Sequence, residues 1–429
     1  MHSNPSVEWW RPAAYAKAET RPATRDRSSV TGNPFSFWTL MVFTFFMILA
    51  PQTLFPALES LHLPLLTAAI AITAFLWDAV THRGTLGVAT REIGVAAALA
   101  AWAVATIPLS YDPGNSLGAF LNYYSKALVI FWLVANVVDS AKKFRQAFLL
   151  LTLMAIPLAI TGVQNYLSGV YLAGSDMQRI QGYDAPLTGN PNDLALMLNI
   201  VLPLSVALLM TTRNLAARIV LPIGILVSAV AIIVTFSRGG FITLVSLLLL
   251  YLWRFRRRRG RLWIWGLIPF LLVCIPLIGP TYLERLSTIS NMEADKTGSA
   301  QERWSDMVAA ATFIEKHPLV GAGLGQSALA TREERGPDGG LVHNVYLQYA
   351  AELGLPGLLL FLILFIQCLK STASVQRRAR QKNDRHLFYI GEAVQLSLIA
   401  FAISAMFHPV AYHIHFYYIA GFAVAARKI

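Results

Sequence analysis

Charged residues and cysteines are both scarce in this chain. Only 14% of its 429 residues are charged, 55% are hydrophobic, and two are cysteines. A soluble domain carries roughly 25% charged residues, so the composition excludes an ordinary soluble fold and favours a membrane protein. Both cysteines, Cys274 and Cys368, fall within apolar segments. A disulfide-stabilised exported domain is therefore excluded as well.

Other missing features exclude further classes. The first 34 residues contain five arginines and lysines but no apolar core or cleavage pattern, so we expect a basic cytoplasmic tail over 1–34 and not a secretory signal. The chain has no repeat of solenoid period and no matching pair of Gly/Pro-broken helices, which argues against a transporter. Its Arg-rich runs lack interleaved aromatics, which argues against nucleic-acid binding.

Long apolar segments dominate what remains. Each is about 18 to 22 residues long, enough to cross a ~30 Å hydrocarbon core as a helix. We predict an all-α polytopic membrane protein with about twelve transmembrane helices, since barrel strands would instead need alternating segments of about ten residues. The predicted spans lie near 36–56, 64–81, 92–109, 119–138, 147–165, 194–212, 218–236, 240–254, 262–279, 355–370, 387–406 and 412–426.

Basic residues divide the loops between these spans into two sets. Lys and Arg cluster at 82–91, 142–145, 213–218, 254–261, 370–385 and 427–428. Lys and Arg are absent from 57–63, 110–118 and 407–411. The positive-inside rule then places both termini in the cytoplasm and the polar inserts 166–193 and 280–343 outside. The net charge of +12 is explained by this topology, with contacts to anionic membrane lipids as a consequence.

The predicted topology divides the chain into four parts. A cytoplasmic tail covers 1–34, and nine spans with the outer loop 166–193 cover 35–279. A large outer loop that contains helices follows over 280–343. A re-entry helix and three further spans cover 344–429.

Two of the outer connections contain arginines beside the membrane. Arg179 is the only basic residue of the 166–193 loop, which makes it a candidate anion ligand. Arg238 lies in Ser237-Arg238-Gly239-Gly240 at an outer membrane boundary. A charge there must snorkel or be paired, so a structural role and an anion-binding role both remain open. The two glycines permit a tight reversal or the close approach of another group.

The large insert is predicted to contain one helix. A capping box at Ser299 and Glu302 would begin it, and His317-Pro318 would end it. Arg303 on this helix is either a surface charge or a ligand. The predicted apolar stripe is Trp304, Val308, Ala311 and Ile314. The alternating glycines that follow, including Gly323, favour a close-packed turn, since no βαβ unit precedes them.

His343 opens a helix where the insert re-enters the membrane. A histidine there can titrate in a partly desolvated position, as a general base must, although packing is the ordinary role of a lone histidine. Metal ligation is the rival use. The cluster His408, His413 and His415 lacks a carboxylate or cysteine at ligand spacing, so we predict no metal site.

Taken in order, these segments resemble the O-antigen ligase and polymerase superfamily of bacterial membrane glycosyltransferases. The O-antigen ligases are the nearest members, and the polymerases and protein O-oligosaccharyltransferases share the same central region. The motifs fall within roughly 170–360 of the chain, while the span layout suits all of it. The segments that carry the resemblance are Arg179, 189–192, 237–240, 303–304, 317–325, 343–344 and 352–354.

The resemblance implies a fold, a location and a reaction. The fold would be GT-C-like, in the bacterial inner membrane, with a large periplasmic loop and a periplasmic active site. The donor would be an O-antigen glycan on undecaprenyl diphosphate, and the acceptor a hydroxyl of lipid A-core oligosaccharide. Transfer would be inverting and would need no cofactor, nucleotide or metal. A polymerase or protein glycosyltransferase would use the same donor, and a transporter or flippase is the non-enzyme alternative.

The resemblance also implies roles for single residues. His343 would be the general base that deprotonates the acceptor. Arg238 and Arg303, with Arg179 as a third, would bind the donor diphosphate and stabilise its developing charge. The supporting positions would be Ser237, Gly239, Gly323 and Asn344. If His343 were not the base, Glu352 would be the next candidate.

Overall fold

A computed structural model describes residues 34–83, 87, 89–171, 179–256 and 298–429. Within these ranges the chain is helical, and its one β-bridge joins Tyr171 to Ile180. The predicted tail up to residue 33, the predicted ninth span at 262–279 and the first part of the insert, 280–297, lie outside the described residues.

The helices follow the apolar segments of the sequence closely. We label them α1 (Pro34–Ile48), α2 (Leu63–Asp78), α3 (Arg91–Thr106), α4 (Pro113–Val137, with a π-helical turn at Phe120–Tyr124), α5 (Ala141–Leu167), α6 (Pro191–Thr211), α7 (Leu215–Val234), α8 (Arg238–Phe255), α9 (Ser299–Lys316), α10 (Ser327–Arg335), α11 (Val345–Gln381), α12 (Arg385–Ser404) and α13 (Ile414–Lys428). Short helical turns at Pro51–Leu54 and Pro56–Leu61 connect α1 to α2.

Ten helical stretches in the described ranges are long and apolar enough to cross a membrane. They contain α1 to α8, α11 and α12, so the predicted polytopic all-α membrane fold is confirmed. The last predicted span, 412–426, is the shorter helix α13 of 15 residues. At 1.5 Å per residue such a helix extends only about 22 Å, and its side chains from His415 to Ala426 are all buried. It is a core helix, surrounded by α4, α11 and α12.

The described connections form two sets of mutual contacts, one at each end of the bundle. At one end, Tyr111 N donates to Ala322 O at 2.9 Å and Val345 N donates to Ala405 O at 2.8 Å, so predicted outer connections contact one another. The predicted inner segments meet through Lys428 Nζ to Asn136 Oδ1 at 2.9 Å, Arg254 Nη1 to Glu392 Oε1 at 3.1 Å and Arg427 Nη1 to Glu92 Oε1 at 3.3 Å. We call these the insert end and the basic end.

A break in α11 attaches the insert to the membrane helices. Gly354 has φ 69°, and a Cβ there would lie 2.2 Å from the Leu319 carbonyl oxygen. Glycine therefore lets the insert backbone approach, and Leu355 N donates to Pro318 O at 2.8 Å. The turn at Gly323 has φ 105° and packs against Ser110, whose Oγ would lie 1.9 Å from an added Cβ. The predicted close-packed turn is confirmed.

Helix α9 differs from its prediction at its start. Its N-cap is Gly298, in the left-handed region at φ 67°, without a side-chain cap. Ser299 is the first helical residue, so the predicted capping box is wrong. Its hydroxyl instead accepts a hydrogen bond from Arg238 Nη2 at 3.4 Å.

The buried face of α9 also differs from the predicted stripe. Trp304 is 53% exposed and Val308 is 49% exposed. The buried residues are Asp306, Ala309, Ala310 and Phe313. The carboxylate of Asp306, the polar residue of this face, has partners: it pairs with Arg335 and accepts a hydrogen bond from Gly340 N at 3.1 Å. The helix therefore packs on the rest of the insert through a face that includes a buried ion pair, which an apolar pattern does not reveal.

Candidate functional site

Three membrane helices begin together at the insert end. The first residues of α6, α8 and α11 follow the N-caps Asn190, Ser237 and Asn344. The cap oxygens accept from main-chain amides of the first turn: Asn192 N to Asn190 Oδ1 at 2.8 Å, Gly240 N to Ser237 Oγ at 3.2 Å, and Tyr346 N to Asn344 Oδ1 at 2.9 Å. Ser237 and Asn344 thus support the site by fixing where α8 and α11 begin.

These three N-termini converge on the connection between α12 and α13, residues 405–413. On α8, Thr243 Oγ1 lies 2.9 Å from Ser404 Oγ at the end of α12. A Cβ on Gly239 would lie 2.8 Å from the Phe407 Cβ, so this glycine is needed for the close approach of α8. Gly240 plays the same role against α6, where its carbonyl accepts from Asn199 Nδ2 at 3.0 Å.

The three helix N-termini make a positive electrostatic contribution of their own, beside the charged side chains Arg238 and Asp193 in their first turns. Each helix N-terminus carries about half a positive charge from its aligned peptide dipoles. Main-chain N–H groups at such ends are ready donors to phosphate oxygens. Three of them at one place favour an anionic ligand.

The three predicted arginines lie around these N-termini. Arg179 Nη2 donates to Asn192 Oδ1 at 2.8 Å, in the first turn of α6. Arg238 is the first residue of α8 and contacts Ser299 on α9. Arg303 lies one turn further along α9 than Ser299, on the same face. The structure thus brings together three arginines that are far apart in the sequence.

His343 lies within reach of this positive charge. Its Nδ1 is 2.8 Å from the Leu341 carbonyl oxygen. Because a carbonyl can only accept, Nδ1 carries the proton and the lone pair lies on Nε2. Burial lowers the pKa of His343 to about 4, and the Arg303 charge acts in the same direction. The ring is therefore neutral at pH 7 and able to accept a proton.

His408 belongs to the same group, which the sequence did not reveal. It is 2% exposed, and its Nδ1 donates to the Ser404 carbonyl at 3.0 Å. Burial lowers the pKa of His408, and Arg303 and Arg179 lower it further. The sequence marks this residue only as part of a histidine cluster near the C-terminus. Its position beside α6 depends on tertiary packing, which no local motif encodes.

Glu352 has a different role from the alternative base considered above. It is completely buried, and its carboxylate accepts from Gly325 N at 2.7 Å, Ser327 N at 3.2 Å and Gln348 Nε2 at 3.1 Å. These bonds fix the glycine turn and the start of α10 onto α11. Gly323 belongs to the same junction, since its amide donates to the Glu352 carbonyl at 2.9 Å. Both residues support the position of the insert.

No group of three His, Cys, Asp or Glu side chains within the described ranges is arranged to hold a metal ion. The assembled side chains are three cationic guanidiniums, two neutral imidazoles and three helix N-termini. Such a set can bind a polyanion and accept a proton beside it.

Comparison with known proteins finds a matching family. Residues 223–362 match the model of a family described as O-antigen ligase. The match includes Arg238, Arg303 and His343 and leaves out Arg179 and His408. No curated protein matches the chain. This multi-pass membrane protein therefore contains, over residues 223–362, a region that matches the O-antigen ligase family.

Proposed function

We propose that the protein is an O-antigen ligase. It transfers a glycan from undecaprenyl diphosphate to a hydroxyl of lipid A-core on the periplasmic face of the inner membrane. The observation that carries this proposal is the position of His343 beside the Arg303 charge, with Arg179 bonded to the first turn of α6 and Arg238 at the start of α8, largely within the family domain. A lipid diphosphate is the polyanion that this family implies.

The donor diphosphate binds where the positive groups converge. Arg238 and Arg303 approach it from α8 and α9, and Arg179 approaches from the loop before α6. Guanidiniums suit this task because their planar fork binds phosphate oxygens in a bidentate manner. As the sugar–phosphate bond breaks, the electron pair passes to the leaving diphosphate, whose growing charge these groups stabilise.

The acceptor hydroxyl approaches the anomeric carbon from the opposite side. Its oxygen forms the new glycosidic bond while its proton passes to Nε2 of His343. This direct displacement inverts the anomeric configuration. The sugar–diphosphate bond already carries the driving force, so no nucleotide is needed. The arginines supply the charge neutralisation that a divalent cation would otherwise provide.

The proposed orientation of the protein in the membrane follows from the Lys and Arg residues at the basic end. Reporter fusions after Lys142 and Arg378 should report the cytoplasm, and fusions near Gln181 and Asp338 should report the periplasm. A cytoplasmic signal at Asp338 would place the insert on the wrong side for a periplasmic reaction.

The decisive experiment is transfer with purified components. Protein in detergent or nanodiscs is mixed with undecaprenyl-diphosphate-linked glycan and lipid A-core, with chelator and without nucleotide. We expect glycan-capped lipid A-core and free undecaprenyl diphosphate. A donor that stays intact with this acceptor, in the presence of folded protein, would contradict the ligase proposal.

The family domain is also compatible with a polymerase or a protein O-oligosaccharyltransferase, which differ in the acceptor. Glycan analysis of a deletion strain separates them. Loss of all capped lipopolysaccharide with donor accumulating supports the ligase, whereas caps of a single repeat indicate a polymerase. Normal lipopolysaccharide together with proteins that lack their glycan indicates a protein O-oligosaccharyltransferase.

A further inference from the structure

A cavity of about 230 Å³ opens at the basic end, between α5, α6 and α12. Lys142, Arg145 and His386 line it together with the apolar side chains Phe148, Leu208 and Ile390. It lies at the opposite end of the bundle from the candidate site, since α5 and α12 begin here while α6 ends here. The proposed transfer reaction makes no use of it.

Three basic side chains of this cavity differ from other basic residues at the same end. Several basic residues at this end already have partners: Lys143 with Asp139 at 3.0 Å, Arg254 with Glu392 at 3.1 Å, Arg427 with Glu92 at 3.3 Å, and Arg385 with the Met210 carbonyl at 3.0 Å. Within the described ranges, Lys142, Arg145 and His386 are exposed and make no ion pair or hydrogen bond. The charges of Lys142 and Arg145 are therefore available to a ligand.

The surrounding backbone adds to the positive character of the cavity. Lys142 is the second residue of α5 and His386 the second residue of α12, so two helix N-termini face this region. Each N-cap side chain accepts a hydrogen bond from one main-chain amide. Ser140 accepts from Lys143 N at 3.4 Å, and Asp384 accepts from Leu387 N at 2.9 Å. The remaining amides of these first turns can donate to a phosphate oxygen.

We propose that this cavity binds the phosphate group of an anionic phospholipid from the adjoining leaflet. The cations and the N-termini hold the phosphodiester, and the apolar wall of Phe148, Leu208 and Ile390 contacts the start of the acyl chains. Free inorganic phosphate shares the anionic chemistry but leaves this wall without a partner. The predicted topology makes the leaflet cytoplasmic, where anionic lipids attract basic side chains.

The test is native mass spectrometry of the full-length protein released from nanodiscs of defined lipid. Nanodiscs contain phosphatidylglycerol or phosphatidylcholine, and separate samples receive millimolar inorganic phosphate. We expect phosphatidylglycerol adducts on the wild type, and affinity roughly tenfold or more weaker in the Lys142→Ala/Arg145→Ala double variant. The matched control is Lys370→Ala/Arg377→Ala, which removes two exposed cations of α11 that do not line the cavity.

Three results would overturn the proposal. Equal loss in both double variants would mean diffuse attraction to the basic end. Equal retention of both lipids by the wild type would mean that the headgroup charge is not recognised. If inorganic phosphate bound as tightly as phosphatidylglycerol and displaced it, the cavity would be a site for free phosphate. The exposed positions of both substituted pairs predict unchanged thermal unfolding, which is measured alongside.

Discussion

The two ends of the helix bundle use arginine in contrasting ways. At the basic end, Arg254 and Arg427 donate to the carboxylates of Glu392 and Glu92. At the insert end, Arg179 donates to an amide oxygen and Arg238 to a hydroxyl. A carboxylate neutralises a guanidinium, whereas an amide oxygen or a hydroxyl is an uncharged acceptor that orients it. The first arrangement holds helices together, and the second positions guanidiniums at the candidate anion site.

The largest expected effect comes from removing the proposed base. His343→Ala should abolish transfer while donor binding stays intact, because the imidazole acts on the acceptor and the arginines hold the diphosphate. Single-turnover transfer and donor affinity are measured separately on purified protein. His62→Asn, which removes an exposed histidine from a short connection at the same end, should retain normal transfer. A well-folded His343→Ala variant with near-normal turnover would remove this residue from the reaction.

The next effect should come from the arginines of the insert end. Arg303→Ala and Arg238→Ala should each slow transfer about a hundredfold or more, the equivalent of a contact worth ~3 kcal/mol in the transition state. Lysine should restore little, since a point charge cannot replace the bidentate fork.

The control for both arginines is Arg332→Ala on the same insert. Its Nε donates to the Gly339 carbonyl at 3.3 Å and its side chain is exposed. Transfer rates of the three alanine variants, corrected for the amount of folded protein, should separate the two classes. A loss of similar size in Arg332→Ala would indicate a general effect of insert charge.

The sequence predicts the membrane architecture well, because each span is encoded by its own run of apolar residues. The buried face of α9 could not be predicted in this way. Its packing depends on Asp306 meeting Arg335 elsewhere in the insert.

The candidate site likewise contains residues that the sequence predicts and one residue that it does not. Arg238, Arg303 and His343 lie in short motifs that a family resemblance can recognise. His408 lies outside the matched region and joins the site only because the α12–α13 connection folds against the starts of α6, α8 and α11. That contact is a property of the folded bundle, and the local sequence around His408 carries no signal of it.

A smaller effect is expected in the pH dependence of transfer. Protonated His343 cannot accept a proton, so activity falls as the pH drops through the pKa of the ring. In free enzyme that pKa is about 4, so kcat/KM should stay level down to mildly acidic pH. Bound diphosphate offsets the Arg303 charge, so the acidic limb of kcat should lie at higher pH. In Arg303→Ala the acidic limb of kcat/KM should also move to higher pH. If the wild type and Arg303→Ala had the same acidic limb, Arg303 would not act on His343.

The smallest effect on transfer should come from the paired arginine of the basic end. Arg254 donates to Glu392 at 3.1 Å and to Gln395 at 2.8 Å, and the Glu392 side chain is only 5% exposed. Arg254→Met breaks this largely buried ion pair and removes the bond to Gln395, which should destabilise the protein by about 3 kcal/mol or more. The thermal midpoint in detergent should therefore fall, while transfer per folded molecule stays normal. Adding Glu392→Gln removes the carboxylate that Arg254 had paired with and should recover part of the stability. If Arg254→Met instead slowed transfer as much as Arg303→Ala, arginines at both ends would serve the reaction and the contrast between the two ends would be lost.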